Sequence, residues 1–261
     1  MDDAELAAEL VRDAGRLAER LRRAGVEVAR KTSVTDVVTS ADRAAEELIA
    51  ARLAAARPGD GLVGEEGAAR VGGPGARVWY ADPVDGTYNF SCGLPIWCSA
   101  LALAAGTGYP DEGPGSTPLL GAVYQAPTDE LWLGGMAQPT TRNGEPVGPI
   151  VDRPLSEVSL ATYLHPQTLP DESVREPLMR AMRAAATVRM LGSGSIELAA
   201  VAAGRLGASA QYDSLPWDWL PGAALVRAAG GVAMVVRAHG RRWHIAGCAR
   251  VADQLAALVT G

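Results

Sequence analysis

Apolar and polar positions follow two different periods along the N-terminal part of the chain. In residues 4–24 and 40–57, leucine, isoleucine and alanine recur every three or four positions with arginine and glutamate between them, which predicts two amphipathic helices. Three apolar runs near glycine or proline, residues 62–63, 78–81 and 96–105, indicate buried strands. The first part of the chain therefore combines helices with strands.

After residue 147 the pattern changes, and short strand-like segments alternate with longer helical ones. The strand-like segments are 160–163, 188–191, 208–212, 232–236 and 242–245, and the helical segments are 171–186, 195–203, 221–229 and 251–259. Such alternation predicts an α/β arrangement. A break in composition at Val147–Pro154 predicts a boundary between two domains, residues 1–147 and 148–261.

Composition narrows the class of protein. With 261 residues, 48% hydrophobic and 21% charged, the chain is typical of a globular protein with one large core or two small ones. A formal net charge of −6 without a basic cluster argues against nucleic acid as a partner.

Three cysteines cannot all pair and lack zinc-site spacing, which indicates buried reduced thiols in the cytoplasm. No apolar run could span a bilayer and the acidic start lacks a signal-peptide core, so we expect no membrane partner.

The most informative motif directly follows one of the predicted strands. Asp82 and Asp85 stand three residues apart with Pro83 between them, and Gly86-Thr87 comes next. Pro83 presets φ for a turn that can bring both carboxylates to one point and direct the amides of Gly86 and Thr87 at an anion. Two adjacent carboxylates repel each other. A divalent metal ion removes this conflict and lets them share a site with a phosphate.

Two further acidic residues, Glu65 and Asp218, stand at the ends of strand-like segments, where α/β sheets place their ligands. Each also has a simpler interpretation. Glu65 could lie in a surface loop, and Asp218 could be an N-cap of a helix whose first turn contains Pro221. Asp82 and Asp85 could likewise form an Asx-type turn without metal. The four carboxylates together favour one shared metal site over four separate explanations.

Five stretches of the chain form a specific combination of motifs. They are Lys31 with 36–39 and Asp42, Gly64–Glu66, Asp82–Thr87 with Asn89-Phe90, Arg189 with Gly192-Ser193, and Trp217-Asp218 followed by Gly222-Ala223 and Ala229–Gly231. In this combination, from about residue 4 to the C-terminus, the chain resembles the inositol monophosphatase family of metal-dependent, lithium-sensitive phosphatases. The resemblance implies a layered α-β-α-β-α sandwich. Its N-terminal α+β half would carry most metal ligands, and its C-terminal α/β half would carry Asp218 and the substrate side.

The resemblance also implies a cofactor and a mechanism. Two or three Mg²⁺ ions would be bound, and metal-activated water would cleave a phosphate monoester without a covalent intermediate. The implied metal ligands are the carboxylates of Glu65, Asp82, Asp85 and Asp218 and the main-chain carbonyl of Val84. Glu65 and Thr87 would orient the water, with Asp42 supporting Thr87. The amides of Gly86 and Thr87 would hold the phosphate. Lys31 would lie near the phosphate or be an ordinary surface lysine.

On the substrate side, the resemblance implies contacts from Asp85, Ser193, Gly194 and residue 211. Family members carry a glutamate seven residues before the Trp-Asp aspartate, where this chain has Gln211. An amide both donates and accepts, so the exchange changes which polar groups the pocket favours. Asp213 lies close by in sequence and could take over the role of that glutamate.

The substrate stays open at this point. Inositol 1-phosphate is the default that the resemblance implies, and a sugar or aminocyclitol phosphate is another candidate. Histidinol phosphate is a rival, because Gly93, Pro95 and Trp97 match a segment of the phosphatases that cleave it. A catalytically silent relative that only binds a metabolite is an alternative of another class. We predict a cytoplasmic phosphomonoesterase acting on a small phosphorylated metabolite and, by family analogy, a homodimer.

Overall fold

The computed structural model describes residues 1–25, 28–30, 37–73, 75–106 and 117–261. Its helices are α1 (Asp3–Ala24), α2 (Ser40–Ala56), α3 (Thr87–Ser91), α4 (Glu172–Ala184), α5 (Gly194–Ala202), α6 (Pro216–Ala228) and α7 (Ala249–Thr260). Its strands are β1 (Val28–Arg30), β2 (Val37–Thr39), β3 (Gly61–Gly64), β4 (Ala69–Arg70), β5 (Val78–Asp85), β6 (Cys98–Ala105), β7 (Thr117–Gln125), β8 (Glu130–Gly135), β9 (Gln138–Arg142), β10 (Glu145–Pro146), β11 (Ser159–Ala161), β12 (Thr187–Arg189), β13 (Ala208–Tyr212), β14 (Val232–Ala238) and β15 (Arg241–Gly247).

Most of the strands belong to two large sheets, and β1 and β2 form a separate antiparallel pair. The larger sheet has eight strands in the order β10-β9-β8-β7-β6-β5-β3-β4, in which β3 and β5 run parallel and the other neighbours antiparallel. The smaller sheet has five strands in the order β12-β11-β13-β15-β14. Strand β11 runs parallel to β12 and β13, and β15 runs antiparallel to β13 and β14.

Helices and sheets stack in five layers. Helices α1 and α2 cover one face of the eight-stranded sheet, α5 and α6 lie between the two sheets, and α4 and α7 cover the outer face of the five-stranded sheet. Three apolar clusters fill these interfaces, and each contains one fully buried tryptophan: Trp79, Trp132 or Trp243. The α-β-α-β-α sandwich implied by the resemblance is confirmed.

Local signals determine how α2 begins, and this start matters for the site. The Thr39 side chain caps the helix by accepting from Ala41 N at 3.2 Å. Asp42 completes a capping box, since its Oδ2 accepts from Thr39 N at 3.0 Å. The same carboxylate therefore has a fixed position at the first turn of α2, with its other oxygen, Oδ1, directed towards the end of β5.

The start of α6 differs from the prediction. The helix begins at Pro216, so Pro216 takes the first-turn position that the sequence analysis assigned to Pro221. Pro221 lies inside the helix, where its carbonyl packs close to Gly121 on β7. Asp218 lies in the first turn of α6, and the N-cap residue is Leu215. The interpretation of Asp218 as an N-cap is therefore wrong.

Two further expectations concern thiols and membranes. Cys98 and Cys248 are buried, whereas Cys92 is exposed, so the expectation of three buried thiols is wrong for one of them. Within the described ranges, none of the helices is both long and apolar enough to cross a membrane. The domain boundary after residue 147 stays a prediction.

Candidate active site

A β-bulge at the end of β5 brings two acidic side chains to the same side of the sheet. The step from Asp82 to Asp85 uses three residues on β5 opposite two on β6. In a regular strand these two side chains would face opposite sides, because side chains alternate. The extra residue reverses this alternation and turns both carboxylates towards one point. The Ser99 hydroxyl on β6 donates to the Pro83 carbonyl at 2.6 Å and holds the bulge in place.

A third carboxylate reaches this point from the first turn of α6. One oxygen each from Asp82, Asp85 and Asp218 lies within 4.8 Å of the other two. Asp82 and Asp85 are buried, and Asp218 is half-buried. All three donors are carboxylate oxygens, which are the ligands that Mg²⁺ prefers in proteins. The donor set therefore fits a hard divalent cation.

The closeness of these carboxylates changes their acidity. Burial raises the pKa of Asp82 well above its usual range, and the neighbouring carboxylates, that of Glu65 first, raise it further. Burial and the Asp85 carboxylate raise the pKa of Asp218 to about 8. Burial also raises the pKa of Asp85, although hydrogen bonds from the start of α5 oppose the effect. Like charges at this distance are unfavourable without a counter-ion, which supports the fit of a metal ion here.

Glu65 stands in the turn that follows β3. Its main-chain N–H donates to the Ala81 carbonyl at 3.1 Å, beside the start of the bulge. Glu46 on α2 holds this turn from behind, since its carboxylate accepts from Glu66 N at 2.8 Å and from Ala68 N at 2.7 Å. Glu46 is buried, and the sequence analysis missed it. The available signal was an acidic residue among the apolar positions of a helix face.

The Thr87 hydroxyl lies between two acceptors. Its Oγ1 is 3.1 Å from Asp42 Oδ1 and 2.9 Å from the main-chain oxygen of Val84. Asp42 is fully buried. Burial raises its pKa to about 6, while hydrogen bonds from Thr39 and Thr87 act in the opposite direction. The structure thus brings Thr87, Asp42 and Val84 together, as the sequence analysis grouped them.

Gly86 forms the turn between β5 and α3. Its φ is +93°, and an added Cβ would lie 2.9 Å from the Ile96 carbonyl, so both the backbone conformation and the space favour glycine. Thr87 is the first residue of α3. Asn89 then fastens this turn to the C-terminal half, because its Nδ2 donates to Ile96 O and to Leu191 O, each at 2.8 Å. The turn is therefore held from two sides.

The start of α5 contacts Asp85 from the second half of the chain. Asp85 Oδ2 accepts from Ser195 N at 2.5 Å. The Ser193 hydroxyl and the Gly194 amide also stabilise the charged form of Asp85. The Cys98 thiol lies 3.9 Å from the same oxygen, and burial raises its pKa well above the usual range, so the thiol stays protonated.

A cavity of about 380 Å³ opens beside these carboxylates. Asp82 does not line it, whereas eight of the predicted metal, phosphate and substrate residues do: Glu65, Asp85, Gly86, Thr87, Ser193, Gly194, Gln211 and Asp218. Asp42 and Val84 lie behind it through their contacts with Thr87. Lys31 lies outside the described residues.

The substrate side contains an acidic residue that the sequence analysis missed. Glu197 on α5 is fully buried, and its Oε2 accepts from Gln211 Nε2 at 2.8 Å. Burial raises the pKa of Glu197 to about 8, and hydrogen bonds from Leu191 N and Gln211 oppose this effect. Asp213 faces elsewhere, because its Oδ2 accepts from Arg241 at 3.0 Å and it does not line the cavity. The structure therefore supports Glu197, and not Asp213, as the acidic partner near Gln211.

Two tyrosines lie at the mouth of the cavity. Tyr88 is 47% exposed and Tyr163 is 40% exposed, and both line the cavity together with Met190. The pKa of Tyr163 is raised by burial and by the phenols of Tyr212 and Tyr88. Exposed rings at the rim of a polar pocket offer surface to a planar or apolar part of a ligand. Sequence reasoning missed this pair because its members lie in different halves of the chain.

Comparison with known proteins places the chain in a family. The sequence profile of the Inositol monophosphatase family matches residues 2–258. Curated relatives include Inositol-1-monophosphatase of Bacillus subtilis, 29% identical over 231 residues with 87% of this chain and 83% of the relative covered. Inositol-1-monophosphatase of Rhizobium meliloti is 35% identical over 198 residues, with 75% and 71% covered.

Solved structures give the same result. The extragenic suppressor protein suhB from Bartonella henselae superposes with a TM-score of 0.84 at 26% identity, covering 98% of this chain and 97% of that one. Thermotoga maritima IMPase superposes with a TM-score of 0.81 at 26% identity, covering 99% and 97%.

The matched family and the curated relatives named inositol-1-monophosphatase define the class of this protein as a phosphomonoesterase, and the acidic cluster beside a polar cavity is consistent with that class. The chain belongs to the inositol monophosphatase family, as the profile match over nearly its whole length and the curated relatives show. The resemblance seen in its motifs is confirmed.

Proposed function

We propose that this enzyme hydrolyses a small-molecule phosphate monoester in an Mg²⁺-dependent reaction, with an inositol 1-phosphate-like compound as its substrate. The observation that carries the proposal is the convergence of Asp82, Asp85 and Asp218 next to a polar cavity of about 380 Å³. The relatives named inositol-1-monophosphatase support this class of substrate.

The proposed metal site consists of the carboxylates of Glu65, Asp82, Asp85 and Asp218 and the main-chain carbonyl of Val84. Asp82 would be the central ligand, because the carboxylates of Glu65, Asp85 and Asp218 all act on it. Two or three Mg²⁺ ions are proposed, since four carboxylates carry more charge than one divalent ion neutralises. When bound, Mg²⁺ neutralises these groups, binds phosphate oxygens and lowers the pKa of a water nucleophile.

Residues of the chain itself would position the water and the phosphate. Glu65 and the Thr87 hydroxyl orient a water for in-line attack on phosphorus, so that a new P–O bond forms as the ester bond to the alcohol breaks. Asp42 keeps Thr87 oriented through their 3.1 Å contact. The N–H groups of Gly86 and Thr87 hold the phosphate. A cysteine nucleophile is unnecessary, and Cys98 is held protonated by its burial.

A second candidate substrate is a phosphate ester whose alcohol carries an aromatic ring, such as histidinol phosphate. The exposed rings of Tyr88 and Tyr163 at the cavity mouth favour it, because aromatic groups stack on each other. A sugar or aminocyclitol phosphate is a third candidate. The proposal also includes four further points. They are a position of Lys31 near the phosphate, a domain boundary after residue 147, a homodimeric state and a cytoplasmic location.

Phosphate release from a panel of esters tests the proposal. We expect release from inositol 1-phosphate with Mg²⁺ and none with EDTA. Asp85→Asn should lower kcat by about 10³-fold, because losing a metal ligand removes several kcal/mol of transition-state stabilisation. The exposed Asp253→Asn is a matched control and should keep the wild-type rate.

The outcomes separate the candidates. A higher kcat/KM with histidinol phosphate would select the second candidate. If the folded protein binds Mg²⁺ and releases phosphate from none of the esters, the proposal is wrong and the catalytically silent relative is the better description.

A further inference from the structure

Residues 94–96, here called the support loop, connect α3 to β6 and are held by side chains from other parts of the chain. The Arg22 guanidinium on α1 donates to the Leu94 carbonyl at 3.1 Å. Gln125 Nε2 on β7 donates to the Pro95 carbonyl at 2.9 Å. Leu94 and Pro95 are exposed on the surface, so these hydrogen bonds, rather than apolar packing, attach this part of the loop to the protein.

The other end of the support loop lies directly against Gly86. The Ile96 carbonyl would be only 2.9 Å from a Cβ added to Gly86, so the two residues are in close contact. The same carbonyl accepts from Asn89 Nδ2 at 2.8 Å. A shift of the support loop would therefore move the Gly86-Thr87 turn, whose N–H groups are proposed to hold the phosphate.

Arg22 also contacts both sides of the support loop through aromatic rings. Its guanidinium carbon lies 5.3 Å from the centre of the Phe90 ring and 5.5 Å from that of the Trp97 ring. The two rings pack edge to face, with their centres 4.8 Å apart. Phe90 belongs to α3, and Trp97 directly follows the loop. Because a cation is attracted to aromatic faces, Arg22 holds the segments before and after the loop as well as the loop itself.

We propose that Arg22 and Gln125 are positioning residues that act through the support loop on the Gly86-Thr87 turn and so set the affinity of the site for phosphate. The inference rests on the proposed function, because it concerns the turn that is proposed to hold the phosphate. Neither of the two side chains lines the cavity of about 380 Å³, so both act at a distance from the substrate. Their effect is transmitted by the carbonyl groups of the loop.

Gln125→Glu is the most direct test, because it keeps the shape of the side chain and removes the donor. The new carboxylate would face the Pro95 carbonyl at the 2.9 Å now spanned by a hydrogen bond, and two acceptors repel each other. In the Mg²⁺-loaded enzyme, we expect the Kd of inorganic phosphate, measured by titration calorimetry, to rise about tenfold. An unchanged Kd would overturn the proposal.

Two esters measure the same effect in turnover. Cyclohexyl phosphate shares the six-membered ring of inositol 1-phosphate and lacks its hydroxyls. In Gln125→Glu the kcat/KM values of both esters should fall about tenfold, because both present the same phosphate group to the turn. A change confined to one of the esters would overturn the proposal.

Arg22 offers a conservative variant. Arg22→Met removes the guanidinium at similar side-chain length and should raise the Kd of phosphate about tenfold, whereas Arg22→Lys keeps a cation and a donor and should stay within about twofold of the wild type. Because both residues act through one loop, the double variant Arg22→Met with Gln125→Glu should stay within about threefold of either single variant. Effects that multiply in the double variant would overturn the proposal.

Two controls distinguish positioning from a merely structural role. The affinity for Mg²⁺, measured by calorimetry without phosphate, should stay at the wild-type value in Gln125→Glu, because other contacts hold the carboxylates. Thr140→Val removes another buried donor to a main-chain carbonyl, that of Leu225 at 2.6 Å, and should lower the Tm while the Kd of phosphate stays unchanged. A loss of Mg²⁺ affinity in Gln125→Glu, or a raised Kd in Thr140→Val, would overturn the proposal.

A second variant at position 125 keeps the test decisive. If Gln125→Glu fails to fold by circular dichroism, Gln125→Met removes the donor without adding a charge and should raise the Kd about threefold. A wild type that binds no inorganic phosphate and hydrolyses neither ester would refute the proposed function. A wild type that does both, with the same Kd as Gln125→Met and Arg22→Met, would refute only the present inference.

Discussion

The metal side and the substrate side of the cavity are built in different ways. On the metal side, Asp82 and Asp85 take their directions from a backbone feature, the bulge in β5, and Gly86 forms the adjoining turn. On the substrate side, Gln211 takes its direction from Glu197, a side chain on another element. A bulge is specified by neighbouring residues, whereas a buried side-chain pair depends on how two elements pack. Changes on the metal side should therefore affect every substrate alike, and changes on the substrate side should alter the choice among substrates.

Metal removal should have the largest effect, because under the proposed mechanism it would stop turnover of every ester and leave the carboxylates without a counter-ion. The pKa values of Asp82 and Asp85 lie above their usual range and that of Asp218 is about 8. Between pH 4 and 8 the folded metal-free chain therefore holds protons that the unfolded chain has released, so its stability falls as the pH rises. We expect the Tm in EDTA to drop by several degrees from pH 5.5 to pH 8.

Two comparisons make this measurement specific. Mg²⁺ should weaken the dependence of Tm on pH, because the cation replaces the protons of the clustered carboxyl groups, while Glu197, whose pKa is also raised to about 8, keeps part of the dependence. Asp218→Asn should weaken it in EDTA, whereas Asp253→Asn on the surface of α7 should leave it unchanged. A metal-free Tm that stays constant from pH 5.5 to pH 8 would contradict the electrostatic account of the metal side.

The next largest effect is expected from Gly86→Ala, which tests the backbone of the metal side. Gly86 has a φ of +93°, which side chains rarely tolerate, and an added Cβ would lie 2.9 Å from a backbone oxygen. We expect a loss of about 2 kcal/mol or more in the free energy of unfolding. Because the turn that is proposed to hold the phosphate shifts, kcat should fall about 100-fold for inositol 1-phosphate and cyclohexyl phosphate alike.

Gly240→Ala is the matched control for this change. Gly240 has a φ of +73° and nothing within 4 Å of an added Cβ, so only the conformational cost remains. It should lower stability by about 1 kcal/mol and leave kcat at the wild-type value. Equal kcat values for the two glycine variants would show that the tight turn at Gly86 is irrelevant to catalysis.

A smaller effect is expected from Glu46→Gln, which tests the support of Glu65. The amide can accept from only one of Glu66 N and Ala68 N, so a buried N–H loses its partner at a cost of about 1–3 kcal/mol. We expect kcat to fall about tenfold for every ester, because Glu46 orients the turn of Glu65, a proposed metal ligand. Glu47→Gln, at the exposed neighbouring position of α2, should leave kcat and the free energy of unfolding unchanged. A change in the ratio between esters would contradict the division into two sides.

The smallest effect is expected from Tyr163→Leu at the rim. Losing one stacking surface should lower kcat/KM for histidinol phosphate about threefold relative to inositol 1-phosphate, because an aromatic pair contributes about 0.5–1.5 kcal/mol. Kinetics with the two esters measure this ratio. A fall that is equal for both esters would remove Tyr163 from the choice of substrate.

The motif Asp82–Thr87 could be read from the sequence because its geometry is local. Proline and paired carboxylates within a few positions predict that the backbone changes direction between Asp82 and Asp85. The structure makes this change as a bulge within β5, and the turn itself follows at Gly86. The start of α6 shows where such reasoning fails. Pro216 and Pro221 both suit a first helical turn, and local preference does not choose between them. The position of Pro221 beside Gly121 on the neighbouring sheet is a tertiary contact, and the sequence contains no local sign of it.

By itself, the sequence determined the alternation of helices and strands and brought Asp82 and Asp85 together, because periodicity and turn chemistry reside in neighbouring residues. Its motifs indicated the family and the wider set of acidic residues by resemblance. Only the tertiary structure decided that Glu46 supports the Glu65 turn, that Glu197 faces Gln211, and that two tyrosines meet at one rim. The physical reason is that such contacts join residues from separate elements. Their energy depends on packing and burial, and neither quantity exists before the layers assemble.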